Sequence, residues 1–183
     1  TKVEFVSNLE LDLMRRDFTI NAMAYNDKNG LVDLFGGIED IKNKVIRCVG
    51  NPDERFTEDA LRMLRAIRFA VRFDCVIEKE TMCSLLAHKS LLKNISIERI
   101  SSELIKTFSY PNDIKSAHLM VTLIELLKPV VPDMYLVDTE DVCQRLIRSN
   151  PIFEIRLATL FDFKDIDTVL KQLRFSNDII SDA

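Results

Sequence analysis

The sequence predicts a mainly α protein, a multi-helical array preceded by a small α+β segment over residues 1–51. Three observations carry that reading. Apolar residues recur at helical spacing along nearly everything after Pro52. Before Pro52, short β-rich runs alternate with turn residues. Only 4 Gly and 5 Pro in 183 residues argue against collagen-like, loop-dominated or free-standing glycine-rich nucleotide folds.

In chain order, Val3 to Val6 is β-rich, and Leu9 to Met14 is a short helical run ending in Arg15 and Arg16. Phe18 to Tyr25 reads as a strand. Asn26 to Gly30 (NDKNG) is a turn leading into a second strand, Leu31 to Phe35. Gly36-Gly37 breaks that pattern, and Ile46 to Val49 is another short apolar run. Helices follow over residues 57–73, 78–88, 96–109, 113–128, 139–148, 152–161 and 164–174. Ile97, Ile100, Leu104 and Phe108 form one stripe behind a Ser96 N-cap, and Ile166, Val169, Leu170 and Leu173 form another. Pro111, Pro129, Pro132 and Pro151 fall between helices, where proline is tolerated.

Composition narrows the function. An apolar share of 47% with 30% charged residues supports a buried core and argues against wholesale disorder. A net charge of −4 excludes a uniformly basic DNA-coating protein, although it allows a local basic stripe. Cys48, Cys75, Cys83 and Cys143 form no CxxC pair, so they read as buried small hydrophobes in a reducing cytosol rather than as a zinc site. Glu125 and Lys128 interrupt the longest apolar stretch, Leu119 to Val131, which is too short to cross a bilayer. The N-terminus lacks the layout of a signal peptide. With no initiator Met, the chain is expected to be an internal fragment.

The most informative stretch is FTEDALRMLRAIRFAVRF, Phe56 to Phe73, which places Arg62, Arg65, Arg68 and Arg72 on one expected helix. Asp59 and Arg62, three apart, would project side by side. A carboxylate accepts hydrogen bonds and a guanidinium donates them in a fixed fork. Adenine and cytosine each present an amine beside an acceptor ring nitrogen, which such a pair complements. Guanine and uracil present the reverse pattern. A surface ion pair at a helix start accounts equally well for the same spacing. Arg65 and Arg68 would meet phosphates or simply solvate a neighbouring face. In RRDFTIN, Arg15 to Asn21, two arginines, a carboxylate and an amide could contact ribose and phosphate, or form a solvated turn.

Four stretches in order decide between these readings. RRDFTINAMAY (Arg15 to Tyr25), GLVDLFGG (Gly30 to Gly37), RFTEDALRMLRAIRF (Arg55 to Phe69) and ISIERISSELIKTF (Ile95 to Phe108) resemble the tRNA nucleotidyltransferase/poly(A) polymerase family, bacterial CCA-adding enzymes above all. The likeness is continuous over residues 3–110 and fainter to the end, in RLATLF (Arg156 to Phe161) and LKQLRFSN (Leu170 to Asn177). It implies the C-terminal part of a nucleotidyltransferase head over residues 1–51. A nucleotide-selecting helical neck would follow over 52–112, and the start of an RNA-binding helical body over 113–183. Arg16 would help hold the incoming nucleotide with Asn21 in support. Asp59 and Arg62 would read the base edge, with Arg65 and Arg68 completing the pocket. Glu98, Arg99 and Glu103 would brace the neck, and Arg99 with Glu103 also fits an i,i+4 pair.

The implied activity is template-independent addition of C and A, from CTP and ATP, to the 3′ end of tRNA. Poly(A) synthesis within the same family, or a non-catalytic helical RNA-binding module, stand as alternatives. The family's Mg²⁺ is held by a Gly-rich segment and a strand bearing Asp-x-Asp, expected upstream of Thr1. Asp165-Ile166-Asp167 does not replace it, because a helical pattern sets those carboxylates about 200° apart. No catalytic residue and no metal ligand is therefore expected in this chain, and neither membrane nor DNA as partner. A cytoplasmic location is implied. The 183-residue chain alone is expected to add no nucleotides, measured as Mg²⁺-dependent incorporation into RNA.

Overall fold

The computed structural model describes residues 9–110, 113–134, 136, 138–160 and 166–175. The expected strand at Val3 to Val6, Pro111, Asp165 and Asn177 lie outside them. Residues 9–14 are helical, as the sequence indicates.

The expected strand over Phe18 to Tyr25 is shorter than its composition suggests. Phe18 makes only an isolated bridge to Cys48, and Thr19–Asn21 form a 3₁₀ turn. The Asn21 amide oxygen accepts from the Phe18 N–H at 3.2 Å, a local bond that curls the chain before it can extend. Strand β1, Met23–Asn26, then pairs antiparallel with β2, Gly30–Asp33. Asn26 makes the turn, its side-chain oxygen accepting from the N–H groups of Lys28 and Asn29.

Past β2 lies a helix that Gly36-Gly37 had argued against: α1, Gly37–Lys42. Gly36 caps it in the left-handed region at φ 75°. The Asp33 carboxylate accepts from the N–H groups of Gly37 and Ile38 at 2.8 Å each. Partial burial pushes that carboxyl upward, but these N–H groups bring it below the usual carboxylate range. A Cβ at Gly37 would stand 2.2 Å from the Thr19 carbonyl oxygen, so only glycine lets α1 close onto the 3₁₀ turn.

Strand β3, Val45–Ile46, pairs in parallel with β4, Val76–Ile77, and so joins the N-terminal segment to the helical array. Arg47 extends the junction, bonding Asp40 at 3.1 Å and also Glu78.

The array begins with α2, Pro52–Glu58, and α3, Leu61–Phe73. It continues with α4 (Lys79–Ala87), a 3₁₀ segment (Lys89–Asn94), α5 (Ile97–Phe108) and α6 (Ile114–Leu127). Helices α7 (Thr139–Arg148), α8 (Phe153–Leu160) and α9 (Ile166–Gln172) complete it. From α4 onward these match the periodicity. Helix α3 lies at the centre, packed against α5 and α6, while α6 packs on α7 and α7 on α8. Met63, Leu64, Ile67 and Ala70 are buried on α3, opposite Ile100, Leu104 and Phe108 of α5. Each large apolar side chain so buried stabilises the fold by about 1.5–3 kcal/mol. Cys48, Cys75 and Cys143 are buried as expected, whereas Cys83 is exposed. None of the described helices is long and apolar enough to cross a membrane.

Two polar devices fix the ends of this packing. Arg156 on α8 is buried, and its guanidinium donates to the carbonyls of Phe108, at 2.6 Å, and Tyr110. Desolvation lowers its pKa to about 10. Asp74 ends α3 in the left-handed region at φ 51°, and its carboxylate receives Lys44 at 2.6 Å and Lys115 at 3.0 Å.

Those two lysines lower the Asp74 pKa to about 2. A carboxyl depressed on folding contributes stability above its ordinary pKa of 3.8, and the contribution is lost as pH falls through about 2. Asp74→Asn should therefore melt below the parent chain at pH 7, and the two melting curves should converge near pH 2.

Candidate nucleotide-binding site

The expected helix over residues 57–73 is two helices. The chain breaks at Asp59, which is extended at φ −148° and ψ 102°. Its Oδ1 accepts the Leu61 N–H at 3.1 Å and its carbonyl accepts the Arg62 N–H at 3.0 Å. Asp59 thus ends α2 and starts α3. An aspartate competes with the helix for its own backbone, which is why it favours such junctions. Asp59 and Arg62 therefore do not share a helical turn, contrary to the spacing argument, and each has its own partners.

Arg62 is largely buried, with its side chain 16% exposed. Its Nη1 donates to Glu58 at 2.7 Å and to the Arg55 carbonyl at 3.1 Å. Its Nη2 donates to the Arg15 carbonyl at 2.9 Å, tying α3 to the RRDFTIN segment. One turn on, Arg65 Nε donates to Asp17 Oδ2 at 2.5 Å, and Asn21 donates to the other oxygen of the same carboxylate at 2.7 Å. Arg68, a further turn along, is buried against Glu103 of α5 at 2.6 Å, and its guanidinium lies 4.4 Å from the Phe69 ring centroid. Arg16 stands apart, exposed and paired with Asp12 at 3.0 Å.

The other three predicted residues also bond across elements. Arg99 Nη2 donates to Asp59 Oδ2 at 2.9 Å, Glu103 holds Arg68, and Glu98 pairs with Arg174 at 2.6 Å. The i,i+4 pair between Arg99 and Glu103 does not form. A buried Arg68 requires an anion, and the nearly buried Glu103 supplies it. Arg99, half exposed, is left to Asp59.

A cavity of about 420 Å³ opens beside the α2–α3 junction, lined by Thr57, Glu58, Asp59, Leu91, Asn94 and Arg99 among others. It has room for a nucleobase, and Arg62 does not border it. A second cavity of about 430 Å³ is mostly apolar and reaches Asn21, between Ile20, Ile41, Phe69 and Phe73. Among the described residues no three His, Cys, Asp or Glu side chains cluster closely enough to hold a metal ion. Asp167 sits on α9, 4.0 Å from Lys171. These residues do not fit Mg²⁺.

Asp17 and Glu58 were missed as site residues. The i,i+4 spacing of Glu58 and Arg62 is a local signal for that pair, whereas nothing near Asp17 in the sequence announces that it faces an arginine 48 positions away. The buried Arg68–Glu103 pair is the easiest of these contacts to test. Glu103→Ala should cost about 3–5 kcal/mol in a denaturant titration, because it strands a buried cation. Replacing both, as Arg68→Met with Glu103→Leu, should restore most of that loss.

This architecture has known counterparts. Residues 1–47 match the family model described as the poly A polymerase head domain. Residues 76–136 match the one described as the probable RNA and SrmB-binding site of polymerase A. The chain is 40% identical to the CCA-adding enzyme of Ligilactobacillus salivarius over 98% of its own length and 46% of that relative. It therefore spans about half the length of the curated relative it matches. The structure of the Bacillus stearothermophilus CCA-adding enzyme in complex with CTP superposes with a TM-score of 0.79 at 30% identity, over 94% of this chain and 45% of that one. The Thermotoga maritima CCA-adding enzyme complexed with tRNA superposes at 0.73 and 30% identity, covering 94% and 46%. With the RRDFTIN segment bonded to an arginine-bearing helix as described, these likenesses make the chain a member of the tRNA nucleotidyltransferase/poly(A) polymerase family.

Proposed function

We propose that this chain is the base-selecting and RNA-contacting part of a nucleotidyltransferase that adds C and A, from CTP and ATP, to the 3′ end of tRNA. One observation carries the reading: Arg62, Arg65 and Arg68, successive turns of α3, face the N-terminal segment and α5 through Arg15, Asp17 and Glu103. Cations so arranged along a seam between two elements suit a ligand that carries phosphates and a base.

In this reading residues 1–51 belong to the head, 52–112 to the neck and 113–183 to the start of the body. Asp59 accepts a hydrogen bond from the exocyclic amine of cytosine or adenine. Arg62, which does not border the cavity in this structure, must release Glu58 and turn toward the base to donate to the neighbouring ring nitrogen. Arg65 and Arg68 complete the pocket: Arg65 meets the phosphates with help from Arg16 and is supported by Asn21 through Asp17, while Arg68 stays paired with Glu103. Glu98, Arg99 and Glu103 brace the helices behind. Mg²⁺ is the cofactor of the whole protein in this reading, held by residues other than those described. The tRNA contact is local, along the arginine-bearing helices, and weakens with salt. A cytoplasmic location belongs to the same reading.

Titrating the four nucleoside triphosphates into the chain tests base selection. ATP and CTP should bind about tenfold or more tighter than GTP and UTP, the discrimination one well-made base contact supplies. Asp59→Ala should erase the difference. Equal binding of all four by the unsubstituted chain sinks the proposal, and a preference for ATP alone favours poly(A) synthesis.

A further inference from the structure

The carboxylate assigned to base reading is already occupied. Asp59 Oδ1 already accepts the Leu61 N–H, a bond at the start of α3 that a ligand on this oxygen would have to replace. Oδ2 is the oxygen left for a ligand, and Arg99 donates to it at 2.9 Å. Both side chains border the same 420 Å³ cavity. Arg99 comes from α5, forty positions later in the chain, and is 49% exposed. Among the described residues no second acid holds it: the neighbouring Glu103 is spent on Arg68 and Lys106. Its guanidinium can swing into water at low cost.

We infer that Arg99 is a resident competitor for the base-reading oxygen, so that binding cytosine or adenine exchanges the Arg99 N–H for the base's amine. The inference rests on the proposed role of Asp59. An amine replaces one donor with another, and the displaced guanidinium regains water. A keto oxygen offers Asp59 no proton and cannot repay the exchange. Arg99 thereby keeps the carboxylate paired while the site is empty, and it lowers the affinity of every base that must displace it. Exposed ion pairs are individually weak, so the effect is a small factor rather than a block.

Calorimetric titration of the full chain and of Arg99→Ala and Arg99→Gln separates the outcomes. Both substitutions should tighten CTP and ATP by about two- to fivefold and leave GTP and UTP unchanged. In an Asp59→Ala background Arg99→Ala should change nothing further, since the contested oxygen is gone. Weaker CTP and ATP binding in both variants would leave Arg99 the brace already assigned to it and no competitor, and unaltered binding would make it a bystander to the base. Either result overturns the inference while leaving base reading by Asp59 intact. If Asp59→Ala keeps the preference for ATP and CTP, or if the parent chain binds no nucleotide, the base-reading proposal itself fails. Thermal melts of both Arg99 variants confirm that a folded chain was titrated.

Discussion

A guanidinium buried in a helical core needs an anion, and the pairing of Arg68 with Glu103 sets how the helices of this protein meet. The contact fixes the rotation of α3 against α5, because the apolar stripe of α3 and its arginines occupy neighbouring faces of one helix. Met63, Leu64 and Ile67 point into the core. Arg62 and Arg65 are then turned toward residues 15–17. Rotating α3 to free those arginines would expose its leucines, and rotating it the other way would bury more charge. Both directions are opposed by energies larger than any single surface contact.

The same logic explains why the arginines are so fully engaged. Arg62, Arg65 and Arg68 each hold a carboxylate, and Arg62 holds two backbone carbonyls as well. An arginine cluster without its anionic ligand would repel itself. Glu58, Asp17 and Glu103 supply the negative charge in the meantime. In the proposed role a phosphate or base would enter by exchange, and selectivity would depend on which internal partners each ligand can replace. The break at Asp59 belongs to this arrangement, since it places one carboxylate at the rim of a cavity instead of along the flank of a helix.

Much of the architecture was legible in the residues. Helices α4 through α8 follow from apolar spacing and from prolines between them, with bounds close to those expected. Besides the break at Asp59 and strand β4, two features of the N-terminal segment escaped. Helix α1 depends on Asp33 reaching forward to cap it and on Gly37 fitting against Thr19, a contact between positions 18 residues apart. The strand at Phe18 gave way to a 3₁₀ turn because the Asn21 side chain satisfies the Phe18 N–H. In both places a side-chain-to-backbone bond overrode the propensity of the run.

The sequence by itself determined the helical array, the small mixed segment before it and the family likeness, because periodicity, turn residues and motif order are written along the chain. Tertiary structure alone decided the partners of the charged side chains. Spacing proposed Asp59 with Arg62 and Arg99 with Glu103; packing joined Asp59 to Arg99 and Arg68 to Glu103. The physical reason is burial. Neighbouring positions on a helix make an ion pair available, but the desolvation of Arg68 decides which acid it must have, and the remaining groups pair around that choice.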